Sequence, residues 1–190
     1  EFSDADMSQE LLDYLQRERK RQDNIAQAID DTTQVFPDDP LWGFQRASVR
    51  FLDEVGRGVL GHDTGTGKTV MASSGVRYIG AQKIVLVCPD NVKWSWVDHL
   101  RQWADVEHPC VLEAGSVKVT TEAKVIKGSS ADREDGLNCF IATEYSFVLI
   151  LNYRQLAIHH KLLCSTDYDL LILDEAHRVK NRNAQQTKAA

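Results

Sequence analysis

Apolar residues recur along this chain in two rhythms. From Ser8 to about Ile29, Leu11, Leu12 and Leu15 share a face and Ile25 and Ile29 form an i, i+4 pair, which predicts a helix. Its middle, Arg17 to Arg21, is all charge. That pattern favours a solvated helix docked at both ends over an autoinhibitory or partner-binding one. Pro37 and Pro40 then break the chain and predict a boundary near residue 40. The expected division is a helical extension over 1–40 and a main domain over 41–190.

In the main domain short apolar runs alternate with helical patterns. Phe44 to Val55 reads as a helix, Gly58 to Leu60 as a short strand, and Lys68 to Tyr78 as a helix after a glycine-rich loop. Lys83 to Cys88 is apolar without alternation and predicts a strand buried on both faces. Asn91 to Ala104 is an amphipathic helix carrying Trp94, Trp96 and Trp103. Val117 to Ile126 suggests a short strand pair, Cys139 to Thr143 a buried strand, Tyr153 to Leu163 a helix, and Leu170 to Leu173 a last strand. Strand and helix in alternation predict an α/β fold in three layers, with a mainly parallel sheet between helices.

Composition narrows the class. Hydrophobic residues make up 43% of 190 residues and charged ones 26%, which excludes a disordered chain. The longest apolar runs, such as Phe147 to Leu151, fall far short of the about 20 residues a membrane span needs. The polar start offers no signal-peptide pattern, and residues 1–6 read as a linker before Met7. The net charge of −6 is uneven: residues 1–40 hold 11 acids and 4 bases, whereas residues 41–190 are nearly balanced. The acidity therefore leaves a nucleic-acid partner for the main domain open. Cys88, Cys110, Cys139 and Cys164 form no C-x-x-C pair, so they read as reduced, mostly buried thiols of a cytoplasmic or nuclear protein. His159, His160 and Cys164 read better as a helix surface with a buried thiol than as metal ligands.

The chemistry sits in two strings. Thr64-Gly65-Thr66-Gly67-Lys68-Thr69 lies between a predicted strand and a helix, the setting of a phosphate-binding loop. Glycines let backbone N–H groups close on phosphate oxygens, and the helix N-terminus adds partial positive charge. Lys68 then reaches the β- and γ-phosphates of ATP, and Thr69 offers a hydroxyl to Mg²⁺. The strict pattern calls for glycine where this chain has His62. The second string, Asp174-Glu175-Ala176-His177, follows a buried strand 106 residues after Lys68. Ligands bind off such strand ends in open parallel sheets. Asp174 would hold Mg²⁺ through water, and Glu175 would orient and deprotonate the attacking water. Lys68, Asp174 and Glu175 are thus the catalytic candidates, with Thr69 and Asp174 as metal holders.

Asp174 to His177, continued by Arg178-Val179-Lys180-Asn181, resembles motif II of the Swi/Snf-type ATPases of helicase superfamily two. Phe44-Gln45-Arg46 resembles that family's adenine-reading glutamine motif, and His62 to Thr69 its motif I, which usually begins with alanine. Val87-Cys88-Pro89 with Trp96 resembles motif Ia, Gly128-Ser129 through Arg133 a further family stretch, and Thr143-Glu144-Tyr145 the T-x-Y of motif Ib. The resemblance implies an incomplete first RecA-like lobe over residues 41–190 that binds ATP and grips DNA. Gln45 would then bond adenine, and His177 would couple the nucleotide to the rest of the motor. Pro89 and Thr143 would either flank the nucleic-acid track or merely end strands. Arg178, Lys180, Arg182 and Lys188 could contact phosphates or be a solvated helix end. The tryptophans could stack on bases, though core packing suits their helical spacing better.

In the family a second RecA-like lobe supplies arginines worth about 10³–10⁵ in rate, so these 190 residues alone should hydrolyse ATP poorly. The expected activity is ATP-driven translocation on, or remodelling of, double-stranded DNA. The alternatives are a strand-separating DNA or RNA helicase and a nucleotide-gated DNA-binding module without productive hydrolysis.

Overall fold

The computed structural model describes residues 9–114 and 121–179 and falls into two compact units that meet in sequence at Ile79 and Gly80. The break expected near residue 40 lies within the first unit.

That first unit contains α1 (Gln9–Asp30), α2 (Gly43–Val55) and α3 (Lys68–Ile79). The mostly polar α1 is tied to the end of α2 by a long-range bond: Arg21 Nη2 donates to Val55 O at 2.8 Å. Leu41, Val49 and Met71 form the unit's core, with Val35, Leu60, Val70 and Tyr78 packed against it. A buried carboxylate organises the chain ahead of α2. Asp39 accepts from Val35 N at 2.6 Å, Leu41 N at 3.1 Å and Arg46 Nε at 2.7 Å. Gly58 to Leu60, expected as a strand, forms no strand. Val59 is 82% exposed, and the Leu60 side chain packs against the core.

The second unit is built on a five-stranded sheet: β1 (Lys83–Val87), β2 (Cys110–Leu112), β3 (Lys124–Ile126), β4 (Phe147–Leu151) and β5 (Leu170–Leu173). The order is β3-β2-β4-β1-β5, with every pair parallel. The α/β class and the parallel sheet agree with expectation. The connecting helices are α4 (Lys93–Trp103), α5 (Ser130–Thr143) and α6 (Tyr153–Cys164). Val85 and Val87 of β1, with Leu149 and Leu151 of β4, pack against Leu137 and Phe140 of α5 and Leu156 and Leu163 of α6. The alternate residues Ile84, Leu86, Val148 and Ile150 are equally buried, so β1 and β4 are covered on both faces.

One expectation is corrected here. Cys139 to Thr143 is the end of helix α5 and not a strand. Ser129 Oγ accepts from Asp132 N at 3.2 Å and Asp132 Oδ2 from Ser129 N at 2.8 Å, a capping box that starts the helix. Burial then follows the helical period: Leu137 and Phe140 are inside while Cys139 is exposed. The strand is Phe147–Leu151, buried throughout. Among the described residues of the strand pair expected over 117–126 lies β3, whose partner is Cys110–Leu112. Residues 117–120 of that expectation lie outside the described residues. Of the four thiols expected to be mostly inside, Cys88 and Cys110 are buried, and Cys139 and Cys164 are exposed.

Polar groups gather where the chain leaves β1. Lys93, fully buried, donates to Leu112 O at 2.7 Å and pairs with Asp90 at 2.9 Å and Glu113 at 3.5 Å. Asn152, which caps α6, donates to the same Asp90 at 2.8 Å. One buried ammonium thus ties the start of α4 to the end of β2.

Two stability measurements follow. Leu149→Ala removes a fully buried side chain and should cost about 3 kcal/mol, while Cys139→Ala should stay within about 0.5 kcal/mol. Urea midpoints that show the reverse order would restore the strand at Cys139. Asp39 gives an acid limb. Burial alone would raise its pKa, but hydrogen bonds from Arg46 and from the Val35 and Leu41 amides outweigh that and hold it below the ordinary carboxylate value. Its contribution is therefore complete above about pH 4 and is lost as pH falls through the depressed folded value. Asp39→Asn should lower stability at neutral pH and flatten that acid limb, read from melting temperature against pH.

Candidate functional site

The glycine-rich loop leads into α3. Thr64 and Gly65 form an exposed turn, and Thr66 Oγ1 donates to Asp63 O at 2.8 Å. Gly65 and Gly67 sit at φ +82° and +80°, a left-handed backbone that glycine adopts without a Cβ penalty. Gly67 O accepts the first helical bond, from Met71 N at 2.9 Å. The amides of the first helical turn have no partner within the helix. Lys68 opens α3 and curls back, its Nζ donating to His62 O and Asp63 O, both at 2.8 Å. Thr69 follows in the same turn.

Gln45 braces this loop. Its Oε1 accepts from Trp42 N at 2.9 Å, which caps α2, and its Nε2 donates to Thr66 O at 3.0 Å. A Cβ on Gly67 would stand 2.7 Å from that Nε2. His62, the departure from the strict motif, leans on α2: its Nε2 lies 2.9 Å from Ser48 Oγ, and its ring centroid 5.8 Å from that of Phe44.

The acidic string lies in the second unit. Asp174 directly follows β5 and extends the ladder, its N donating to Val87 O at 2.8 Å. Its Oδ2 accepts from Trp96 Nε1 at 2.9 Å, and its carbonyl accepts from Tyr153 Oη at 2.6 Å. Trp96 and Tyr153 are each 3% exposed. Burial foremost, then the Asp174 charge, pushes the Tyr153 phenol up to about 12, so it stays a donor at physiological pH. The same two causes, burial first, raise the Cys88 thiol to about 12. Glu175 adopts φ +55°, unusual for a residue with a side chain, and its Oε2 lies 2.9 Å from His177 Nδ1. A single 3₁₀ turn, Ala176–Val179, follows.

The remaining candidates fall elsewhere. Trp96 is core, as its spacing favoured, and Trp94 and Trp103 are half-buried. Thr143 Oγ1 bonds back to Cys139 O at 2.7 Å within α5, whereas Tyr145 is 87% exposed. His159 is buried, which lowers its pKa. Arg178 is exposed, and Lys180, Arg182 and Lys188 lie outside the described residues. Sequence reading missed the contacts of Trp96 and Tyr153 with Asp174. These residues stand 78 and 21 positions from it, and no local spacing signals such a bond.

In the first unit, left-handed Gly65 and Gly67 leave amides uncrowded, as phosphate oxygens require, and Thr69 carries a hydroxyl; in the second, Asp174 and Glu175 carry carboxylates, the hard oxygen donors that suit magnesium. Among the described residues no three His, Cys, Asp or Glu side chains gather into a metal cage. An ion carried on phosphates needs only one or two carboxylates.

The glycine-rich loop and the parallel sheet are those of a phosphate-loop α/β protein. The chain belongs to the SNF2-related domain family, whose description matches residues 10–190. It is 29% identical over 152 residues to the SWI/SNF-related matrix-associated actin-dependent regulator of chromatin subfamily A-like protein 1 homolog of Caenorhabditis elegans, covering 79% of this chain and 19% of that protein. It is 26% identical over 168 residues to the human DNA excision repair protein ERCC-6, covering 78% and 10%. Against the DNA repair and recombination protein RAD54-like of Drosophila mojavensis it is 23% identical over 186 residues, covering 88% and 23%. The chain thus spans between a tenth and a quarter of these relatives.

Gly67→Ala tests the loop geometry. The left-handed backbone and the contact with Gln45 should cost about 1–2 kcal/mol in thermal unfolding, whereas Gly61→Ala, with no atom near its Cβ, should cost less.

Proposed function

We propose that this chain is the first RecA-like lobe of an ATPase that translocates on or remodels double-stranded DNA. Its region 41–190 forms the lobe, and the helix ahead of it is an extension. The observation that carries the reading is the loop itself: two left-handed glycines deliver a lysine ammonium to a helix N-terminus. Such an arrangement recognises phosphate by charge and backbone donors together. Membership of the SNF2-related family and relatives named for chromatin regulation and DNA repair support DNA as the partner.

In this reading Lys68 leaves the carbonyls of His62 and Asp63 for the phosphates, with Thr64, Gly65, Thr66 and Gly67 lining the phosphate path. Gln45 bonds adenine. Thr69 and Asp174 would hold Mg²⁺, Asp174 through water, and the bound ion would supply positive charge against the phosphates. Glu175 orients the attacking water and takes its proton. His177, already against Glu175, links nucleotide state to the rest of the motor. A second RecA-like lobe of the intact protein supplies arginines for the transferring phosphoryl group. The protein works in the nucleus or cytoplasm, and among the described residues no helix is long and apolar enough to cross a membrane.

Calorimetry and turnover assays on the intact protein test this. Lys68→Ala should abolish ATP binding. Glu175→Gln should keep it while slowing DNA-stimulated hydrolysis about 10²–10⁴-fold. Double-stranded DNA should stimulate turnover without strand displacement; displacement would instead establish the helicase alternative. ATP binding without DNA-stimulated turnover would leave only a nucleotide-gated module.

A further inference from the structure

Asp174 is restrained at three separate atoms. Its amide is in the sheet ladder to Val87, its carbonyl takes the Tyr153 hydroxyl, and one carboxylate oxygen takes the Trp96 indole N–H. Both side-chain donors are almost wholly buried, and they come from different helices, α4 and α6. We infer that Trp96 and Tyr153 are positioning residues that set the Asp174 carboxylate and the turn after it for metal binding. This rests on the magnesium role proposed above for Asp174.

The chemistry of the donors supports the assignment. An indole N–H only donates, carries no charge and does not titrate. It fixes the carboxylate rotamer while leaving the negative charge whole, whereas a lysine or arginine there would neutralise it. The indole bonds Oδ2 and so holds the carboxylate by one of its two oxygens. Tyr153 acts one bond further along the chain. Its hydroxyl pins the carbonyl that precedes left-handed Glu175, whose own carbonyl accepts from Arg178 N at 3.0 Å. The direction in which Glu175 leaves the sheet is thus held on both sides. Partners of this kind, one step behind a ligand, commonly change metal affinity 10–100-fold when removed.

The test is the coupling between Mg²⁺ and ATP in the intact protein, read by calorimetry as the ratio of the ATP dissociation constants without and with Mg²⁺. Trp96→Phe keeps an aromatic ring and deletes the N–H. It should lower that ratio at least about 10-fold and leave the magnesium-free affinity within about twofold. Tyr153→Phe deletes one oxygen and should lower the ratio in the same sense, so the inference stays testable should Trp96→Phe fail to fold. Trp103→Phe, two turns along α4, should leave the ratio unchanged. A merely structural role predicts lower melting temperatures with the wild-type ratio, and that result would overturn the assignment while leaving the nucleotide reading intact. Wild-type protein that binds no ATP would overturn both.

Discussion

The hydrogen bond from the Asp174 amide to the Val87 carbonyl carries the parallel register of β1 and β5 one residue past Leu173. Parallel pairing sends both strands out of the sheet at the same end, so whatever follows Val87 and Leu173 emerges side by side. Cys88 and Asp174 are those residues. β1 is buried on both faces, and its backbone pairs in register with β4 on one side and β5 on the other. The position of the acidic turn is thus fixed by the β1–β5 ladder, which Asp169 anchors at its other end by accepting from Lys83 N at 2.9 Å. Trp96 and Tyr153 add the finer adjustment of rotamer and exit direction.

A comparable economy governs the first unit. Gln45 caps α2 with one end of its amide and steadies the loop carbonyl of Thr66 with the other. The segment before α2 is locked by Asp39, whose three donors offset the cost of burying a charge. His62 joins the same support through Ser48. Its imidazole, larger than the alanine usual at that place in the resembled motif, is taken up by α2. Loop and bracing helix therefore belong together, and α2 is better understood as part of the phosphate-loop scaffold than as an independent element.

Much of this was legible from residue order. The helices at 9–30, 43–55, 68–79 and 153–164 follow from apolar spacing, and β1 and β5 from unbroken apolar runs. The errors have a common cause. Cys139-Phe140-Ile141-Ala142 is an apolar run too short for its period to show, and the deciding signal lay ten residues earlier in the Ser129–Asp132 capping box. Gly58 to Leu60 had strand-like composition but found no backbone partner, and Cys110–Leu112 had too few residues to stand out before pairing made it a strand.

The sequence by itself determined the α/β class, the phosphate-loop string, the acidic string and, through them, the family. Those properties depend on neighbouring residues and on local backbone preferences. Only the tertiary structure decided that Phe147–Leu151 is the strand between β1 and β2, that Gln45 props the loop, and that an indole and a phenol grip Asp174. Each of these joins residues 21 or more positions apart, or ranks several apolar runs by how completely they can be buried. Contacts of that kind come from the packing of whole elements, which no local spacing encodes.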